Sequence, residues 1–145
     1  MRNRLSVTVA LAVTAAVLAG FPAAASGADW VYFATTARGT HYYDRETLQK
    51  AGNTVRVREK TVYSEGGKRA AQKFLAGTGE YKGQKPDHVV TLSEFDCKEA
   101  KARSLSMVIY DIDRRRIAGS PEGGTAWGTL VPETLHERLF QQVCP

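Results

Sequence analysis

Apolar positions between residues 30 and 118 mostly alternate with polar ones. Residues 54–63 are the clearest case, because Val55 and Val57 lie on one side of the segment and three basic side chains lie on the other. A period of two with the charges on one side is typical of a β-strand whose sheet has one solvated face. The same pattern predicts further strands at residues 30–34, 41–44, 88–97, 104–112 and 115–118.

Residues 132–144 change to helical spacing. Leu135, Leu139 and Val143 recur every four residues, and Pro132 stands in the first turn, where proline is favoured. A sheet and a helix that each have one apolar side bury those sides against each other. The sequence therefore predicts an α+β fold, an antiparallel β-sheet of about six strands with a C-terminal helix packed on it.

Two segments show no clear period. Residues 45–53 end in a Gly-Asn pair and predict one helical turn or a loop. In residues 64–87, the two glycines at 66 and 67 are expected to break the preceding strand, and residues 68–75 fit either a short helix or a strand edge. The glycine-rich remainder is predicted as a loop, and a polar loop of that length often carries function.

The N-terminus has the layout of a secretory signal peptide. Arg2 and Arg4 precede an uncharged apolar run over residues 5–20, and small residues follow it. Cleavage is expected after Ala25, with Ala28 as the second choice. The alternative is an uncleaved membrane anchor, but the run is shorter than the roughly 20 residues that span a bilayer. We therefore expect residues 1–25 to be removed and residues 26–145 to form a single exported domain.

The chain has two cysteines, Cys97 and Cys144. Neither lies near the leader, so no lipid anchor is expected. In the oxidising compartment that a signal peptide implies, a single pair of cysteines normally forms a disulfide, which would tether the final helix to the sheet. The alternative is a redox pair, but the sequence has no Cys-x-x-Cys spacing to lower a thiol pKa.

The charge of the chain is mildly positive. The formal net charge is +5, and removal of the leader would take two arginines from it. The remaining basic residues are scattered, and the run at residues 114–116 fits a solvated hairpin tip better than a site for a polyanion. No nucleic-acid partner is expected for an exported chain of this kind.

The sequence carries few catalytic signatures. His41, His88 and His136 lie far apart, without the short spacing of a metal site. His41 could act as a base oriented by Asp44, but no serine elbow or free cysteine nucleophile accompanies it. We therefore expect no catalytic residue, cofactor or metal, and a small hydrolase-type enzyme ranks third among the functions considered.

Aromatic residues concentrate in the first strands. They fit the core and the cross-strand pairs of a sheet, or alternatively a surface that binds a peptide, a glycan or a second subunit. Because a shift of one residue exchanges the two faces of a strand, the sequence leaves open which of the two adjacent tyrosines points outward. The candidate binding surface consists of Trp30, Tyr32, Tyr42, Tyr43 and Tyr63.

Landmark residues follow one another in a distinctive order across residues 29–145. They are Trp30 at the start, Tyr43-Asp44 before a polar turn, a charged strand ending near Tyr63, a strand running into Cys97, Tyr110 in the next strand, Trp127 followed by Pro132, and a final helix ending at Cys144. This order resembles that of the surface-adhesin protein E family of bacterial envelope proteins. The chain departs from the family's namesake in lacking a lipobox cysteine.

The resemblance implies a sheet of about six antiparallel strands with a disulfide-tethered C-terminal helix across it. It also implies a non-enzymatic binding role, since the namesake binds host extracellular-matrix proteins and dimerises through its sheet. We therefore expect an exported protein of the periplasm, the cell surface or the medium, with a host matrix or envelope protein as its ligand, no cofactor, and a homodimer as a further expectation. The alternative is a periplasmic housekeeping factor of the envelope that has no host ligand.

Overall fold

A computed structural model describes residues 27–79, 81–120 and 123–145. The predicted signal peptide lies outside the described residues. Within them the chain forms eight strands and two helices. Their bounds are β1 Trp30–Thr36, β2 Gly39–Asp44, β3 Gln49–Ala51, β4 Thr54–Tyr63, α1 Glu65–Thr78, β5 Pro86–Asp96, β6 Lys101–Asp111, β7 Arg116–Gly119, β8 Gly128–Thr129 and α2 Leu135–Val143.

The strands form one antiparallel sheet. Six of them follow the order β1-β2-β4-β5-β6-β7, while β3 pairs with the first residues of β4 and β8 with the first residues of β6. Neighbours along the path follow one another in the order of the chain, and the longest connection, between β4 and β5, contains α1. The predicted antiparallel sheet with a C-terminal helix is confirmed, and the two short strands β3 and β8 are additional.

Both helices pack on the same face of the sheet. At one end, Leu139 and Val143 of α2 are fully buried against Val57 and Phe95. At the other end, Leu75 of α1 is fully buried in a second cluster that is built on β6 and β7. The apolar side of the alternating strands is therefore the helix side, and the side with the basic residues is left open.

Helix α1 corrects the interpretation of residues 64–87. The two glycines that were expected to break the chain lie in the first turn of the helix, where the Ser64 side chain accepts a hydrogen bond from the backbone N–H of Gly67 at 3.0 Å. A Cβ at Gly67 would overlap the carbonyl oxygen of Arg38, so glycine is needed where the helix touches the β1–β2 turn. The helix ends at Gly79, whose φ of 75° is left-handed.

Two further boundaries differ from the sequence prediction. Residues 45–53, predicted as one helical turn or a loop, contain strand β3, because Gly52, with a φ of 60°, lets the chain reverse tightly into β4. The C-terminal helix starts at Leu135 instead of Pro132, since the Thr134 hydroxyl accepts from the Glu137 N–H and caps the helix there.

The disulfide between Cys97 and Cys144 is formed, with a Cα–Cα distance of 5.4 Å. Cys97 follows the end of β5, and Cys144 is the C-cap of α2. Both half-cystines pack against the core cluster around Phe95. The bond therefore ties the last turn of the helix to the edge of the core that it covers, as the sequence predicts.

We predict that reduction of this disulfide lowers the free energy of unfolding by about 4 kcal/mol, because the bond closes a long loop in the unfolded chain. Thermal unfolding with and without reductant measures the effect. A C97S/C144S variant is the control and should melt at the same temperature in both buffers. Equal melting temperatures of the oxidised and reduced wild-type protein would contradict the prediction.

Candidate functional site

The open face of the sheet carries a row of aromatic and basic side chains. Tyr32, Tyr42 and Lys60 lie side by side across β1, β2 and β4. The rings of Tyr32 and Tyr42 meet edge to face with centroids 6.2 Å apart. The Lys60 Nζ lies 4.3 Å from the ring centroid of Trp30 and 5.5 Å from that of Tyr42. We call Trp30, Tyr32, Tyr42, Arg58 and Lys60 the aromatic–basic surface.

The cations of this surface are held over aromatic rings. The guanidinium carbon of Arg58 lies 6.0 Å from the Trp30 ring centroid, within the range of a cation–π contact. Partial burial lowers the pKa of the Lys60 ammonium, and the charge of Arg114 acts in the same direction, while Asp44 opposes both. Lys60 is therefore a partly dehydrated cation, and the negative charge of an added carboxylate would offset both the cost of its burial and the repulsion by Arg114.

A buried ion-pair network continues the open face across the central strands. Glu94 is 3% exposed, and its two carboxylate oxygens accept from Arg56 Nε and Arg103 Nε, both at 2.7 Å. Burial opposes ionisation of Glu94, but the hydrogen bonds and charges of the two arginines hold the pKa of its carboxyl below the usual value. The Arg103 guanidinium also lies 4.5 Å from the Trp127 ring centroid.

The two remaining aromatic groups of the open face lie near its far end. The rings of His88 and Tyr110 are stacked, with centroids 5.1 Å apart and an angle of 15° between the planes. The His88 Nδ1 lies 2.9 Å from an oxygen of Asp87. Sequence reasoning missed this pair and the contact of Arg103 with Trp127. Both join residues that are far apart in the sequence, and their proximity depends on the register between strands.

The five aromatic residues of the predicted binding surface lie on both sides of the sheet. Trp30, Tyr32 and Tyr42 come together on the open face. Tyr43 points the other way, is 8% exposed and packs in the core, so it does not contribute to an exposed surface. Tyr63 lies beside α1, where burial raises the pKa of its hydroxyl to about 12. The alternation of a strand thus settles which of the adjacent tyrosines is outward.

The histidines do not form the arrangement considered in the sequence. His41 is buried, with its ring nitrogens 2.8 Å from the hydroxyls of Thr36 and Thr61, and burial lowers its pKa. Asp44 instead accepts from backbone N–H groups and from Thr47. Across residues 27–79, 81–120 and 123–145, no three potential metal ligands cluster. In the same ranges, neither helix has the length and hydrophobicity that crossing a membrane requires.

The helix side of the sheet contains a cavity of about 620 Å³ over β4, β5 and β6. It is bordered by the first turn of α2 and by the glycines at 123 and 124. Glu59 contributes to its lining, although the residue is only 8% exposed. The Oε1 atom of Glu59 and the hydroxyl of the adjacent Ser93 are buried and neither makes a hydrogen bond of good geometry, although the hydroxyl lies close enough to act on the Glu59 carboxyl. Sequence reasoning missed Glu59, although an acid at a core-facing position of β4 was the available signal.

Glu59 is an acid in an environment that disfavours its charge. Burial raises the pKa of its carboxyl, while the Ser93 hydroxyl and the charge of His136 partly oppose that rise. The folded protein therefore keeps the proton at pH values where the unfolded chain has already lost it. The protonated carboxyl therefore contributes fully to stability at pH values below the ordinary pKa of 4.5. This contribution is lost as the pH rises through the higher pKa that the carboxyl has in the folded state.

We predict that E59Q gains stability over the wild type as the pH rises from about 4 to 7.5, because glutamine cannot ionise. The expected difference in melting temperature is a few degrees at neutral pH, at roughly 2–6 °C per kcal/mol. Thermal unfolding across this pH range measures it. E99Q, at an exposed glutamate, is the matched control and should follow the wild type. A difference between E59Q and wild type that does not change with pH would contradict the prediction.

The fold and its open, aromatic and basic face define a small α+β protein with features of a binding surface. A family model described as surface-adhesin protein E matches residues 30–145, and the chain belongs to that family. The resemblance in the sequence is thereby confirmed. Membership of a family of surface adhesins favours an exported, non-enzymatic binding protein.

Two solved structures are similar to this chain. A structure of Haemophilus influenzae protein E has a TM-score of 0.55 and 14% sequence identity, over 79% of this chain and 83% of that one. A structure of protein E from non-typeable Haemophilus influenzae has a TM-score of 0.50 and 15% identity, over 78% and 74%. At such identities the likeness concerns the fold. A search of curated protein sequences finds no significant match.

Proposed function

We propose that the protein is an exported adhesin-type binding protein that contacts a protein ligand through the aromatic–basic surface. The observation that carries this proposal is the row formed by Tyr32, Tyr42 and Lys60 on a sheet face that neither α1 nor α2 covers. Aromatic and arginine side chains dominate the energetics of protein interfaces. Aromatic rings bury a large area at little loss of conformational entropy, and the guanidinium of arginine donates several hydrogen bonds.

The charges of the open face favour an acidic ligand. Arg58, Lys60 and Arg114 lie in or beside the aromatic–basic surface, and the buried carboxylate of Glu94 is already neutralised by two arginines. A ligand carboxylate that reaches Lys60 would meet a cation that has already lost part of its hydration. We therefore propose a segment that carries acidic and apolar residues, in a host matrix protein or in another envelope protein.

The proposed signal peptide and the disulfide support export of the chain. The leader at residues 1–25 directs secretion in this proposal, and the bond between Cys97 and Cys144 fits an oxidising compartment. Homodimerisation stays a prediction, and the outer edge of β1 is a place where a second sheet could pair.

We predict that Y32S/K60Q weakens ligand binding at least tenfold, because it removes an exposed ring and the central cation. The measurement is surface plasmon resonance on immobilised extracellular-matrix extract and on immobilised envelope extract. Tyr32 is 58% exposed, so its loss should leave the fold intact.

The matched control for this variant is F74S/K73Q on α1, which removes a ring and a cation from the helix side. Phe74 is 52% exposed, close to the value for Tyr32. The control should bind as the wild type does. Raising the salt concentration should also weaken wild-type binding, since exposed charges are screened. Equal binding by Y32S/K60Q and the wild type would refute the assignment of the surface.

We further predict that the protein is reached by protease on intact cells or is recovered from the medium. Blots of shaved cells, periplasm and medium, with a periplasmic protein as the control for leakage, provide the measurement. Complete protection until the outer membrane is opened would refute the surface location. It would favour the periplasmic housekeeping role instead, and the family membership would then describe the fold of the protein and not its task.

A further inference from the structure

We propose that the cavity beside α2 is a binding site for a small organic amine, with the carboxylate of Glu59 as its charged anchor. The cavity lies on the helix side of the sheet, whereas the aromatic–basic surface lies on the open side. The two proposed sites can therefore be tested independently of each other.

The size and walls of the cavity suit a compact organic molecule. Its volume of about 620 Å³ falls within the range typical of small-molecule sites. Leu105, Met107 and Leu135 provide apolar wall area, and hydroxyl groups of serines and threonines lie between them. A separate cavity of about 320 Å³ beside α1 has Met107 as a common wall residue. An apolar body with one polar group would fit such walls.

The polar group of the ligand is indicated by what the protein leaves unpaired. Glu59 Oε1 and Ser93 Oγ are both buried and neither makes a hydrogen bond of good geometry, whereas most buried polar atoms in folded proteins make one. An alkylammonium group donates up to three hydrogen bonds, and its positive charge would pair with the buried carboxylate. A ligand ammonium in the cavity could therefore pair with the carboxylate of Glu59, which lines the cavity, whereas Ser93 is not a lining residue.

The charge balance of the site selects a cation over an anion or a neutral molecule. Of the described residues that line the cavity, none is a lysine or an arginine, and His136 is the one residue there that can become positive. From β2, the neighbouring strand, Tyr43 pairs with Glu59, and His41 pairs with Thr61 one position further along this face. None of these groups forms a hydrogen bond to Glu59 Oε1. A cationic ligand would favour the ionised form of Glu59 by pairing with it, whereas an anionic ligand would oppose that ionisation and a neutral one would leave the buried carboxyl protonated.

Three six-membered-ring compounds of similar size test the assignment. Cyclohexylamine is positive at neutral pH, cyclohexanol is neutral and cyclohexanecarboxylate is negative. Each is titrated into the purified protein, expressed from the full chain, and followed by amide chemical shifts and by calorimetry. We expect saturable binding of the amine, with shifts near Glu59, Thr91 and Leu105, and at least tenfold weaker binding of the other two compounds.

The variant test uses E59Q, with E99Q as the matched control. E59Q should lose at least tenfold in amine affinity, because it keeps the shape and removes the charge, and E99Q should bind as the wild type does. If E59Q does not fold, the comparison of the three compounds on the wild-type protein decides alone. Equal binding of amine and alcohol, unchanged binding by E59Q, or no saturation by about 10 mM amine would each overturn the proposal.

Discussion

The structure depends on a sheet that is covered on one side only. In β4 the apolar residues alternate with basic ones, so that packing of the two helices on one side necessarily presents the basic residues on the other. An open face of this kind is stabilised by contacts within itself. Here cations rest on aromatic rings, and Glu94 joins arginines from the strands on either side. The rings and cations that stabilise the uncovered face are also the groups on which the proposed binding surface rests, so that surface consists of strand residues alone.

Sequence pattern predicts the sheet and the final helix because both bury a regular stripe of apolar residues. The pattern does not predict the structure where a glycine is required by a neighbour that is distant in the sequence. The pair at 66 and 67 looks like a break along the chain, but Gly67 allows α1 to approach the carbonyl of Arg38, a contact that no local pattern records. The Gly-Asn pair at 52 and 53 instead forms a tight reversal of the chain, which lets β3 pair with β4. The same residue type thus begins a helix in one place and closes a hairpin in another, and only the tertiary neighbours decide which.

The candidate sites were predictable to different degrees. Three of the five aromatic residues proposed from the sequence share the open face, since adjacent strands of an antiparallel sheet bring residues close in sequence together. The contact between Arg103 and Trp127 joins residues from β6 and from the loop before β8, and Glu59 and His136 line the same cavity although they are far apart in the sequence. Such long-range pairs depend on the register and on how the helix is docked. Periodicity within one segment therefore contains no information about them.

The network of Arg56, Glu94 and Arg103 has a consequence for the register of the central strands. These residues stand directly opposite each other on the three adjacent strands β4, β5 and β6. If β5 were to pair one position out of place, its side chains would exchange sides, and Glu94 would be driven among the apolar residues without either arginine. Misaligned pairings would thus bury a lone negative charge, whereas the native pairing satisfies it from both flanks. The network thus makes registers of β5 other than the native one less favourable in the folded protein, where the helices cover the apolar side.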